Sequence, residues 1–137
     1  MGHYPRIREI TDSLGAQLRV SLEPHPSCGA MITLQRLDQS HRPRTFLDGL
    51  GAEVLLGFIM SARIALPASM PDEAVEGAFP VHMCLQHQPK VTIAIVQQSN
   101  GRTLEIPAPF WDRLCAELML IIPFARFLAL RAGARIQ

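Results

Sequence analysis

Five side chains with metal-binding chemistry occur at short spacings in this sequence: His25, Cys28, His82, Cys84 and His87. Histidine nitrogens and cysteine sulfurs are the ligands that zinc takes, four at a time, in a tetrahedral site. On a strand, however, His82 and Cys84 would share a face that His87 does not, and no Cys-x-x-Cys pair is present. The pattern therefore favours surface histidines and a half-buried thiol, and we expect neither a metal site nor a cofactor.

A cysteine nucleophile is the second chemistry to consider, with Cys84 or Cys115 paired to a histidine. Such a pair needs a base within hydrogen-bond reach and a third group that orients the base. Cys115 falls in an apolar helical segment, where a thiol usually packs as a small hydrophobic side chain. The sequence has no Gly-x-Ser-x-Gly motif, and Gly49-Leu50-Gly51 lacks the third glycine and the lysine of a phosphate-binding loop. We therefore expect a binding protein rather than an enzyme.

The composition is that of a globular protein of one domain. Of its 137 residues 48% are hydrophobic and 18% are charged, which favours a packed core over disorder. The N-terminus lacks the apolar core of a signal peptide, and three widely spaced cysteines do not form a disulfide framework. The most apolar run, from Leu114 to Leu130, contains Glu117, Pro123 and Arg126, so it is a poor membrane span. The sequence predicts a soluble cytoplasmic protein.

The first half of the chain alternates between apolar and polar residues in segments of strand length. A short helix is predicted over residues 5–15, where Gly15 would stop it. Strands follow from Ala16 to Glu23, from Ala30 to Leu37 and from Arg44 to Leu47, because apolar side chains recur there at every second position. Asp48 can then cap a helix that runs to Ala65, shortly before Pro67.

The second half repeats this plan after a proline-containing linker over residues 67–78. Strands are predicted near residues 81–86, 91–98 and 103–106, and the last two are joined by Asn100-Gly101, a dipeptide that suits a tight hairpin turn. Pro107 and Pro109 suit the first turn of a second helix that runs to Ala132. Pro123 should kink this helix, because proline donates no backbone hydrogen bond.

These elements predict an α+β fold in two βββα pseudo-repeats, residues 16–66 and 79–132. The strands would form one antiparallel sheet of about six strands, with both helices packed on one face. A helix on a sheet needs only one apolar stripe. The predicted helices are apolar around most of their circumference, as in Val54–Met60 and Leu118–Ile122. The excess apolar surface predicts a homodimer formed through the helices.

The outward face of the predicted sheet is polar and almost uncharged. A solvated sheet face is the ordinary explanation, and a platform for an extended partner is the functional one. The candidate partner-binding residues on this face and at its strand ends are Arg19, Gln35, Arg42, Arg44, His82, Gln86, Thr92 and Arg102.

In plan, residues 16–132 resemble the single-stranded nucleic-acid-binding superfamily of Whirly and purine-rich-element-binding proteins. Those proteins are built from repeated antiparallel strands followed by a helix. The resemblance implies binding of single-stranded DNA or RNA through a sheet face, and assembly into dimers or larger oligomers. It is one of architecture only, with no motif residue matched. The net charge of +1 and the absence of an aromatic platform on the strand faces count against nucleic acid.

The alternative is a protein-binding module. The same order of elements, with its leading helix, is similar to small secretion chaperones of dimeric α/β type, although those are usually acidic and this chain is not.

Four charged residues in the two predicted helices occupy equivalent positions. Each helix carries an acid near its beginning, Glu53 or Glu117, and an arginine near its end, Arg63 or Arg126. If the helices lie antiparallel, Glu53 would pair with Arg126 and Glu117 with Arg63. Such pairing would explain charges in otherwise apolar helices. The alternative is that all four side chains reach solvent at the helix ends and do not pair.

Overall fold

The computed structural model describes residues 6–136, and it shows two halves that each consist of four strands followed by a helix. The first half contains β1 (Arg6–Thr11), β2 (Gln17–His25), β3 (Gly29–Arg36), β4 (Arg44–Leu47) and α1 (Gly49–Ala65). The second half contains β5 (Glu73–Val75), β6 (Val81–Gln86), β7 (Thr92–Gln97), β8 (Thr103–Pro107), a 3₁₀ turn (Ala108–Phe110) and α2 (Trp111–Ile136). The α+β class predicted from the sequence is confirmed.

The strands form two antiparallel sheets, and the prediction of a single sheet of six strands is wrong. The first sheet has the order β1-β2-β3-β4, and the second has the order β5-β6-β7-β8. Each half therefore closes its own sheet before its helix begins. Two strands, β1 and β5, were absent from the prediction.

Strand β1 lies where a helix was predicted over residues 5–15, of which Pro5 is outside the described residues. Ile7 and Ile10 are three positions apart, a spacing that fits a helix. Pairing with β2 decides the outcome, because the two strands are in register from Arg6 opposite Leu22 to Thr11 opposite Gln17. Only Ile10 of β1 is buried, so the strand carries little apolar alternation. Tertiary pairing overrides the weak local signal.

Strand β5 lies within the segment predicted as a linker. Its three residues pair with β6, and only Val75 is buried. A strand of this length shows no periodicity in the sequence. Its pairing nevertheless gives the second sheet the same number of strands as the first.

Helix α1 begins as predicted, with Asp48 as its cap. Asp48 Oδ1 accepts a hydrogen bond of 2.8 Å from the backbone nitrogen of Gly51. Its other oxygen, Oδ2, accepts one of 3.0 Å from the backbone nitrogen of Ala78, just before β6. One carboxylate thus caps the helix of the first half and holds the chain that enters the second.

The two halves share a hydrophobic core. Buried side chains from both sheets and both helices form one cluster. Although α2 belongs to the second half, it packs mainly on β3, β2 and β1 of the first sheet and on α1. Because α2 lies on the inner face of the first sheet together with α1, neither helix covers the outer face of that sheet.

One of the two predicted charge pairs between the helices is present. Arg126 donates to Glu53, as expected for antiparallel helices. The prediction of a pair between Glu117 and Arg63 is wrong. Glu117 instead accepts a hydrogen bond of 2.8 Å from Arg6 Nε on the unforeseen strand β1, and Arg63 pairs with Asp112 at the start of α2.

A buried arginine joins the two sheets. Arg36 at the end of β3 is only 4% exposed. Its Nε and one terminal nitrogen donate to both oxygens of Asp38 at 2.9 and 2.8 Å, and its other terminal nitrogen donates to the carbonyl of Glu105 in β8 at 2.9 Å. The guanidinium also lies 5.3 Å from the centre of the Phe110 ring. Every side of this cation is therefore compensated, as a buried charge requires.

The ion pair between Arg36 and Asp38 should make stability depend on acidic pH. The hydrogen bonds from Arg36 lower the pKa of Asp38 from 3.8 to about 2. Because the folded pKa lies below the unfolded one, this stabilisation is complete above pH 4 and is lost as the pH falls to 2. We expect Asp38→Asn to reduce the free energy of unfolding by about 1–2 kcal/mol at pH 7 at this partly exposed carboxylate. Urea denaturation at pH 7, 4, 3 and 2 should show the difference between variant and unmodified protein shrinking. A difference that stays constant with pH would contradict the assignment.

Candidate binding surface

The outer face of the first sheet brings together several residues predicted to bind a partner. Residues that lie opposite each other in neighbouring antiparallel strands point to the same face. The register aligns Glu9, Arg19, Gln35 and Arg44 in one row that crosses β1, β2, β3 and β4. We call this line of side chains the polar row. Three of the eight predicted partner-binding residues, Arg19, Gln35 and Arg44, are therefore neighbours.

Arg42 extends the polar row beyond the edge of the sheet. Its backbone oxygen accepts a hydrogen bond of 3.4 Å from Gln35 Nε2, and the residue is exposed. This contact places the loop before β4 beside the row. Arg42 and Arg44 thus put two exposed cations at one end of it.

Arg19 lies near the other end of the polar row and is incompletely satisfied. Its Nε is buried and has no hydrogen-bond partner among the described residues. One terminal nitrogen lies 3.7 Å from a carboxylate oxygen of Glu9, which is long for a hydrogen bond. The buried Nε is out of a ligand's reach, but the side chain is 36% exposed, so its exposed part can donate to a ligand.

Aromatic rings lie beside the polar row, contrary to the expectation from the sequence. Phe46 in β4 shares the outer face with Arg44, whose guanidinium carbon is 5.3 Å from the centre of the Phe46 ring. Phe79, from the segment before β6, lies 6.1 Å from Phe46, and His25 meets Phe79 edge-on at 5.6 Å. All three rings are half-buried. We call His25, Phe46 and Phe79 the aromatic cluster.

Gln97 in β7 fixes the edge strand that carries Arg44 and Phe46. Its Oε1 accepts hydrogen bonds from the Phe46 backbone nitrogen at 2.7 Å and from the Thr45 hydroxyl at 2.9 Å. Its Nε2 donates to the carbonyls of Phe46 at 3.3 Å and Pro80 at 3.4 Å. The side-chain amide thus pairs with Phe46 as the peptide group of a further strand would. This pairing covers part of the exposed edge of the first sheet.

Three other predicted residues, His82, Gln86 and Thr92, lie on the outer face of the second sheet. His82 Nε2 is 3.0 Å from Asp72 Oδ2. Gln86 and Thr92 line a polar cleft of about 260 Å³ with Lys90. Thr92 is only 3% exposed, and its hydroxyl is buried, so it offers little to a partner. These residues do not continue the polar row.

Arg102 lies in the turn between β7 and β8, near the junction of the sheets. Its backbone oxygen accepts a hydrogen bond of 2.8 Å from the backbone nitrogen of Gln97, whose side chain holds Phe46. The side chain of Arg102 is exposed. Gln97 alone thus links Arg102, which lies outside the first sheet, to Phe46 of the aromatic cluster.

The histidines and cysteines singled out in the sequence do not form a metal site in the structure. Among the described residues, no group of three or more His, Cys, Asp or Glu side chains is placed to hold a metal ion. Burial raises the pKa of the Cys84 and Cys115 thiols, which favours the less reactive protonated form. His25 Nδ1 accepts from the backbone nitrogen of Ser27 at 3.2 Å, so it takes part in a turn.

No helix within residues 6–136 has the length and apolarity needed to cross a bilayer. The chain matches no protein-family model and no curated protein.

Proposed function

We propose that this protein binds single-stranded nucleic acid on the outer face of the first sheet and performs no catalysis there. The observation that supports this most is the aromatic cluster beside the polar row. Phe46, Phe79 and His25 provide rings, Arg19 and Arg44 provide cations on the same face, and Arg42 adds an exposed cation in the loop beside it.

Rings and cations in this arrangement match the two parts of a single strand. Unpaired bases expose their faces and can stack on aromatic side chains or on a guanidinium, and this tolerates any sequence. Phosphates attract arginines, which can donate two parallel hydrogen bonds to them. Gln35, between Arg19 and Arg44 in the polar row, adds amide groups that can bond a base edge. A duplex hides its base faces, so the surface favours a single strand.

The charge of the molecule sets the expected strength of binding. With a net charge of +1, long-range attraction to a polyanion is weak, so affinity depends on the local arginines. Each phosphate contact on a single strand contributes about −0.7 to the slope of log affinity against log salt concentration. We therefore expect binding that is measurable at low salt and is lost steeply as salt rises.

Substitutions on the first sheet separate the contribution of phosphate contacts to the affinity from that of base stacking. Arg42→Gln combined with Arg44→Gln should make the salt slope shallower by about 1.4, because two phosphate contacts are lost. Phe46→Leu should leave the slope unchanged and weaken binding roughly fivefold or more, since stacking contributes about 1–3 kcal/mol per base. Fluorescence anisotropy of a labelled thymidine 20-mer, titrated between 50 and 300 mM salt, measures both quantities.

Arg113→Gln is the control, because Arg113 is exposed on α2, which packs on the other face of the first sheet; its contact with that sheet is a 3.4 Å hydrogen bond to the Thr11 carbonyl of β1. It should change neither slope nor affinity appreciably. Equal effects of the Arg42/Arg44 and Arg113 substitutions would contradict the assigned surface.

A protein-binding, chaperone-like module is the second candidate, and one observation favours it. A cleft of about 670 Å³ runs between α2 and β2 and is lined by Arg6, Leu22, Pro24, Pro123, Phe124, Phe127 and Leu128. We call it the strand furrow. It is almost wholly apolar and can hold an apolar segment of another chain. Capture of an apolar peptide that is insensitive to salt, together with no retention of single strands, would favour this candidate.

A further inference from the structure

The outward faces of both helices are apolar and exposed. Of the ten large apolar side chains that are exposed among the described residues, eight lie on α1 or α2. Five of them follow α2 at helical spacing and are 54–75% exposed; we call them the α2 ridge: Met119, Leu120, Phe124, Phe127 and Leu130. Exposed apolar patches of this extent mark interaction surfaces on soluble proteins.

An apolar depression lies on each side of the α2 ridge. On one side is the strand furrow. On the other, a groove of about 380 Å³ separates α2 from α1; its apolar lining includes Leu56, Gly57, Met60 and Met119, and we call it the helix furrow. Pro123 lines both depressions, so they flank the same stretch of α2. The surface therefore carries both a protruding ridge and the furrows that can receive one.

Two charge pairs beside this surface are neutralised within the chain, whereas Arg131, 5.7 Å from the centre of the Phe127 ring, forms no ion pair with a described residue. Arg126 pairs with Glu53 at the helix furrow, and Arg63 pairs with Asp112 near the opposite ends of the helices. An identical copy carries the same charges, so a surface with net charge would repel its own copy. The two internal pairs reduce that repulsion and leave Arg131 as the cation of the ridge that a second copy must accommodate.

We infer that two copies of this chain pair through this surface about a two-fold axis, each placing its α2 ridge in the helix furrow of the other. A two-fold interface needs one self-complementary surface, and here ridge and furrow lie side by side. Packing of side-chain ridges into grooves is the ordinary mode of contact between helices. Such pairing does not depend on nucleic-acid binding.

The exposed area is sufficient for a stable dimer. At about 200 Å² for each fully exposed large apolar residue, the α2 ridge with Met60 and Ile64 presents roughly 900 Å². Stable interfaces bury about 800 Å² per partner. A short peptide would cover only part of this surface, whereas a second copy of α2 has the length to cover all of it.

Gly57 allows a test that leaves the monomer intact. It lies in the middle of α1 and lines the helix furrow, and a Cβ added there would meet nothing within 4 Å. Gly57→Glu should therefore fold, with a gain in helix propensity, while placing a charge in the furrow that the ridge must enter. Gly57→Ala adds a methyl group without charge and is the matched control. Phe124→Glu places a charge on the ridge itself.

Sedimentation equilibrium between 1 and 100 µM, with circular dichroism to verify folding, gives the result. The unmodified protein and Gly57→Ala should have twice the monomer mass, and Gly57→Glu and Phe124→Glu should be monomers with at least a hundredfold weaker association. A monomeric unmodified protein at 100 µM would overturn the inference. So would a dimer that both charged variants leave unchanged.

Discussion

Gly29→Ala is expected to lower the free energy of unfolding by about 2–5 kcal/mol. Gly29 has a φ of +90°, in the region that favours glycine. A Cβ at this position would lie 2.5 Å from the backbone nitrogen and Cα of Ala129 and from the Leu128 carbonyl oxygen in α2. These are backbone atoms of a packed helix, so α2 would have to move away from the first sheet.

Gly15→Ala is the matched control for this effect. Gly15 has a similar φ of +88°, but a Cβ there would meet nothing within 4 Å. Its replacement should cost only the backbone strain, about 1 kcal/mol. Urea denaturation measures the free energy of unfolding of both variants. The loss at Gly15 gives the cost of backbone strain, and the additional loss at Gly29 gives the cost of displacing α2. Equal losses would show that α2 does not press on the turn between β2 and β3.

Gln97→Met should destabilise the protein by about 3 kcal/mol, because buried polar groups lose their partners. Gln97 is 3% exposed, and its amide satisfies the Phe46 backbone in both directions and the Thr45 hydroxyl. Methionine has a similar size and cannot make these bonds. Since the bonds position the edge strand β4, the variant should also weaken nucleic-acid binding.

The adjacent glutamine provides the comparison. Gln98 is exposed, so Gln98→Met should change stability by less than about 0.5 kcal/mol. Thermal or urea denaturation of the pair is the measurement. Similar losses of stability for the two variants would show that the hydrogen bonds between Gln97 and β4 contribute little to the packing of the two sheets.

The strands with strong alternation were predictable from the sequence, and the weakly patterned ones were not. Leu18, Val20 and Leu22 predict β2 because apolar residues recur there at every second position. The structure buries each of the three and leaves the residues between them partly exposed. β4 was predicted at its observed bounds, Arg44–Leu47, as was the capped start of α1 at Asp48. In contrast, β1 buries one residue of six and β5 one of three, so pairing partners distant in sequence determine them. Without these two strands, the sequence predicted one sheet of about six strands, whereas the structure has two sheets of four strands each.

The binding surface was predictable only in part, for a related reason. Alternation in β4 puts Phe46 on the same face as Arg44, and this signal in the sequence could have revealed the ring. Phe79 comes from an irregular segment, which has no periodicity that assigns it to a face. Gln97 belongs to an alternating strand but acts through the edge of the other sheet. Contacts between sheets depend on how the halves pack, which local pattern does not encode.

Binding of a labelled single strand by the unmodified protein tests the proposed function most directly. If Arg19, Arg42, Arg44 and Arg102 contact phosphates, a thymidine 20-mer should be retained at 50 mM salt. Its log affinity should then fall against log salt concentration with a slope of about −2 to −3. A duplex of the same length should bind more weakly, because its bases cannot stack on the aromatic cluster. No retention of the single strand at 50 mM salt would contradict the proposal.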